Sequence, residues 1–162
     1  YAWSSLKEYD QAISFHQQSL TVAREIGDRR SEASALGGLG IAHYLTGNHQ
    51  QSIDFLERQR TLASETGDRR GEASALTNLG EAYTSTGEAV RAIELLRQAF
   101  NIANNMGDVP GQAAALFNLA MALEKLGDRV QAVEQTRKSL ELFEIVKHPS
   151  AETVRRQLVE WQ

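Results

Sequence analysis

The sequence predicts an all-α fold, a solenoid of antiparallel helix pairs, from three observations. The stretch "GDRRSEASAL", beginning at Gly27, returns as "GDRRGEASAL" at Gly67 and as "GDVPGQAAAL" at Gly107, a period of 40 residues. A fixed period of roughly 20–50 residues marks a stacked repeat array. Apolar residues recur three and four apart, and no segment sustains the period-two alternation of a strand. Single Gly residues close the apolar runs, and Pro occurs only twice in 162 residues, so helix is favoured throughout.

Residues 1–26 read as a partial repeat. Tyr1, Ala2 and Trp3 occupy the slot of Ala82-Tyr83, so the chain opens part-way through a first helix. Residues 27–66 form the first full repeat. Gly27 suits the position after a helix end, where φ is positive. Asp28 suits the N-cap of the next helix. Ala33, Leu36, Leu39, Gly40 and His43 then form one apolar stripe. Gly47-Asn48 end that helix. Ile53, Leu56, the stem of Arg60 and Ala63 form a second stripe, closed by Gly67. Residues 67–106 repeat this plan with 17 of 40 positions identical, too many for chance, and residues 107–146 repeat it more loosely.

Small residues recur where paired helices should touch: Gly40, Gly80 and Ala120 in the first helix, and Ala12, Ser52, Ala92 and Ala132 in the second. One hairpin cannot cover both its apolar faces, so each repeat completes its neighbour's core. In residues 147–162, Lys147-His148 replace the Gly-Asp linker and Pro149 opens a last helix, 149–162. Val154, Leu158 and Trp161 share one face of it, and Arg155, Arg156 and Glu160 lie elsewhere. A polar outer face suits a capping helix.

The absence of Cys excludes a disulfide framework and thiolate chemistry. A net charge of −4 lacks the basic footprint of a nucleic-acid binder. No apolar run approaches the roughly 18 residues of a membrane span, and no signal peptide is visible. These features predict a cytoplasmic protein that engages neither nucleic acid nor membrane.

The sequence shows no matched nucleophile and base, no Gly-rich phosphate loop and no His spacing for a metal. The expectation is therefore no enzyme activity, no cofactor and no metal site. His43 aligns with Tyr83, His49 with Tyr9, and His16 with Leu56 and Leu96, which favours packing roles. The pairs Arg29-Arg30 and Arg69-Arg70 stand at helix starts, where cations oppose the dipole. They serve either structural ion pairs, the favoured reading, or a rim for an acidic partner.

The order Leu79-Gly80, Ala82-Tyr83, Gly87, Ala92 resembles the tetratricopeptide repeat, and the resemblance covers residues 1–146. The usual period of about 34 residues is here extended to 40, an excess assigned mostly to longer second helices. The resemblance implies a right-handed superhelix whose first helices line a concave groove. The positions it puts there include Tyr1, Ser4 and Ser5 in the partial repeat. In the full repeats it points to Ile41, Tyr44, Leu45, Asn78, Glu81, Phe117, Asn118, Met121 and Glu124 as the partner-binding set. Cations of the carboxylate-gripping members are missing: Gly37, Thr77 and Phe117 stand in the Lys slots, and Ile41, Glu81 and Met121 in the Arg slots.

What remains is a groove with an apolar patch at either end and a polar middle. The resemblance therefore implies a scaffold or signalling adaptor that binds a protein or peptide with apolar anchors. A basic residue of that peptide would lie near Glu81 and Glu124, with Asn78 and Asn118 bonding its backbone. The alternative is an array that packs on another domain of its own polypeptide or self-associates, including as a homodimer through the truncated N-terminal repeat.

Overall fold

The computed structural model describes residues 2–161, with side chains from Glu8 onward. The described residues form eight helices: α1 (Ala2–Ile26), α2 (Arg29–Leu45), α3 (His49–Thr66), α4 (Arg69–Ser85), α5 (Ala89–Met106), α6 (Val109–Leu126), α7 (Arg129–Ile145) and α8 (Ser150–Glu160). No strand occurs among them. The chain divides into two compact units, residues 1–78 and 79–162, with the boundary inside α4.

The helix ends follow from local chemistry. Gly27, Gly47, Gly67, Gly87, Gly107 and Gly127 all take positive φ, a conformation that needs no Cβ. Lys147 takes the same turn with φ 52, the sole such non-Gly residue described. Asp28 accepts from the Arg30 and Ser31 amides at 3.1 Å each, Asp68 from the Gly71 amide at 3.0 Å and Asp108 from the Gly111 amide at 3.2 Å. Each satisfies donors that a helix start leaves orphaned.

Two expectations need correcting. The helix pairs α2/α3, α4/α5 and α6/α7 measure 17/18, 17/18 and 18/17 residues, so the longer period is shared equally rather than placed in the second helix. Near the start, the partial repeat forms one unbroken helix, α1, from Ala2 to Ile26 instead of the end of a first helix followed by a second. Lys7 stands where Gly47, Gly87 and Gly127 bend, and Lys favours continuation of the helix. Tyr1, and the side chains of Ala2, Trp3, Ser4 and Ser5, lie outside the described residues.

In the first unit α2 packs on both α1 and α3. Their core joins Leu20, Leu36, Leu39 and Leu62, with Ile13 and Phe55 against it. A fully buried Leu contributes roughly 1.5–3 kcal/mol, so this cluster outweighs the helix caps. In the second unit α6 packs between α5 and α7, and α8 docks on α7. There Ala113, Phe143 and Val154 form a core flanked by Phe117, Leu140 and Ala151. The polar residues Glu152, Arg155, Arg156 and Glu160 are exposed, as a capping helix requires.

The small-residue slots act as anticipated. A Cβ on Gly40 would lie 2.5 Å from Leu56 Cγ, and one on Gly80 would lie 2.6 Å from Leu96 Cδ2. Both predicted stripes of the first full repeat are buried apart from Arg60, which is half-buried.

Candidate functional site

A strip of α2 carrying Ser34, Ile41 and Leu45 is exposed. Ile41 and Leu45 stand there one turn apart, 44% and 50% exposed. Tyr44 is half-buried, its ring 5.3 Å from the His49 ring and tilted by 55°. Asn78, also in the first unit, is half-buried on α4.

In the second unit Glu81 is half-buried on α4. Phe117, Asn118, Met121 and Glu124 follow one face of α6 and are also half-buried. Two of these depart from an open groove. Phe117 packs against the core cluster that α7 and α8 complete, so its ring is part of the fold. Glu124 Oε1 accepts from Arg129 Nη1 at 3.3 Å, while its Oε2 is buried without a hydrogen bond. Arg129 thus offsets part of the charge expected to attract a basic residue. Of the apolar positions proposed from sequence, Ile41 and Leu45 are the open pair.

The histidines pack as rings. His43 is buried and stacks on Phe55 at 5.4 Å with 9° between planes. Burial pushes its imidazole below the usual histidine range. His148 stacks on Phe143 at 4.9 Å. His16 meets Phe15 edge-on at 5.5 Å, and a Cβ at Gly38 would collide with it. No three His, Asp or Glu converge among the described residues.

The first member of each Arg pair makes a side-chain ion pair. Arg29 bonds Glu65, and Arg69 bonds Glu72 at 2.7 Å. Arg30 and Arg70 are exposed. No described helix is long and apolar enough to cross a membrane.

Sequence reasoning missed three grooves, none of them lined by the nine candidate residues. One of about 310 Å³ lies between α2 and α3 at Glu32, Leu36, Arg58 and Glu65. Another of about 350 Å³ follows α1 past Phe15, Ser19, Val22 and Ile26. The third, about 330 Å³, lies between α5 and α7 over α6. For the third a signal existed: Gln135 stands at the repeat position of Phe55 and Leu95.

The family model for the tetratricopeptide repeat matches residues 4–65, 35–105 and 71–145. The chain belongs to the tetratricopeptide repeat family. Tetratricopeptide repeats are general protein–protein interaction modules. No curated protein matches the sequence.

Among solved structures, a putative kinesin light chain from Podosopora anserina with nearly identical TPR-like repeats shares 20% identity, with a TM-score of 0.74, over 99% of this chain and 80% of that one. BtubC (BKLC) from P. vanneervenii shares 18%, with a TM-score of 0.78, over 94% of this chain and 65% of its own. A Rap protein complexed with Competence and Sporulation Factor shares 17%, with a TM-score of 0.87, over 96% of this chain. This chain spans 44% of that Rap protein. Such likenesses show the fold, an all-α helical-repeat solenoid.

Proposed function

We propose that this tetratricopeptide repeat chain is a scaffold module that binds a peptide or partner segment on the exposed faces of its first helices. The observation that carries this is the apolar pair Ile41 and Leu45, bare on α2 beside the half-buried Tyr44. Two exposed apolar residues one turn apart offer anchorage for side chains of an apolar segment. Within the second unit by itself, Met121 and Asn118 of α6 offer an apolar and an amide group, and Phe117 contributes only the edge its core packing leaves free. The Rap protein held with Competence and Sporulation Factor supports the reading by likeness of fold.

Peptides selected from a displayed random library against the chain test it. Ile41→Ser with Leu45→Ser should weaken their binding at least tenfold, read by calorimetry, with the melting curve unchanged. Undiminished binding refutes this site. Phe117→Ala is the wrong probe, because it opens the core.

A specific observation favours self-association as a second reading. Phe15, Val22 and Ile26 are 65%, 54% and 71% exposed on one face of α1. The repeat counterparts of Phe15 and Val22 are half-buried or buried, as Phe55 and Leu62 and as Leu95 and Ile102, whereas those of Ile26, Thr66 and Met106, are exposed. A dimer through α1 should dissociate in Val22→Lys, read by sedimentation. A wild-type chain that sediments as a monomer at high concentration ends this reading.

A further inference from the structure

The groove between α5 and α7 lies apart from the first-helix residues invoked above. Its floor is apolar: Leu116, Leu119 and Leu123 of α6 are all buried, and the half-buried Phe100 of α5 lines it too. Polar groups complete the lining. Arg97 projects from α5 and Lys138 from α7, and no carboxylate lines the groove.

Comparison within the chain explains why the groove is open. Position 135 corresponds to Phe55 and Leu95, and position 123 to His43 and Tyr83. In the first unit Phe55 packs on the core and stacks on His43, so that site holds an aromatic pair. In the second unit Leu123 and Gln135 stand at the same two positions, and neither supplies a ring. Gln135 stands where Phe55 closes the equivalent site, and a groove of about 330 Å³ remains above the buried leucines.

The charges specify what fits. The chain carries a net charge of −4, yet this groove presents two cations. Arg97 has no ion-pair partner among the described residues. Lys138 pairs with Glu134 at 2.6 Å, an exposed i,i+4 contact that an incoming carboxylate can replace at little cost. We propose that the groove binds a partner segment carrying an aromatic side chain flanked by carboxylates. The ring occupies the place that Phe55 fills in the first unit, and the carboxylates meet Arg97 and Lys138. A second copy of this chain fits poorly, because its exposed Phe15 lies in the carboxylate-free run from Gln11 to Ser19.

A fluorescein-labelled peptide, Asp-Glu-Phe-Glu-Asp, titrated with the full chain and read by anisotropy, is the test. Binding should weaken at least threefold when the ionic strength is raised, and should be lost when Ala replaces the Phe or Asn and Gln replace the acids. Gln135→Phe restores the plug, so it should abolish binding while holding or raising the melting temperature. Arg97→Glu should weaken binding tenfold or more, and Ile41→Ser with Leu45→Ser should leave it unchanged. No binding by the native chain overturns the proposal, as does equal binding by the Gln135→Phe variant. Binding lost on Ile41→Ser with Leu45→Ser would move the peptide to the α2 face and overturn it too.

Discussion

Exchanging a contact pair between repeats tests how closely the paired helices are matched. The slot held by Gly40 and Gly80 faces Leu56 and Leu96, whereas the third repeat sets Ala120 against position 136, which is Thr. Thus where the first helix gains a methyl group, the second carries a smaller side chain. A Cβ on Gly80 would stand 2.6 and 2.8 Å from the two methyl carbons of Leu96, about 1 Å short of comfortable contact. Leu96 is fully buried and has nowhere to retreat.

For Gly80→Ala, helix propensity gains about 1 kcal/mol, while overpacking costs about 1–3 kcal/mol. The net is a loss of roughly 0–2 kcal/mol. Leu96→Thr alone leaves a gap and should cost about 2–3 kcal/mol. Its hydroxyl would be satisfied by the Ala92 carbonyl, as that of Thr136 is by Ala132 at 2.8 Å. Together the two changes recreate the third repeat's pair. The double variant should therefore be about 1–2 kcal/mol more stable than the sum of the single losses. Urea denaturation of the four proteins, at matched m-values, measures this coupling. Additivity within about 0.3 kcal/mol refutes the idea that these positions are fitted to each other.

His43 is held neutral by burial, with a folded pKa below its ordinary 6.5. The unfolded chain therefore binds the extra proton first, and stability falls as pH drops below about 6.5. His43→Phe should lose less stability between about pH 7.5 and 5.5 than the native chain, by urea titration at each pH; equal losses contradict this. Asp28→Ala removes the cap of α2 and should cost about 1 kcal/mol, whereas Asp28→Asn should cost less, read from denaturation midpoints. Val154 is buried where α8 meets the Phe143 cluster. Val154→Ala should cost about 1–3 kcal/mol and raise amide exchange in α8 before α2; uniform exchange would show that α8 is not a separable cap.

The periodicity of the sequence determined the helix pairs, and its Gly and Asp residues determined where helices stop and start. These are local properties: a positive φ, an orphaned amide and an apolar stripe each lie within a few residues. The internal copies also supplied the alignment that separates Gln135 from Phe55. Tertiary structure decided which side chains of those helices are free. Phe117 and Ile41 both stand on first-helix faces, yet Phe117 joins a core because α7 and α8 meet there, while Ile41 stays 44% exposed. Likewise Phe15 is 65% exposed where Phe55 is half-buried, although the two hold the same repeat position. A side chain's exposure depends on which distant helix arrives opposite it, and repeat position alone carries no record of that arrival.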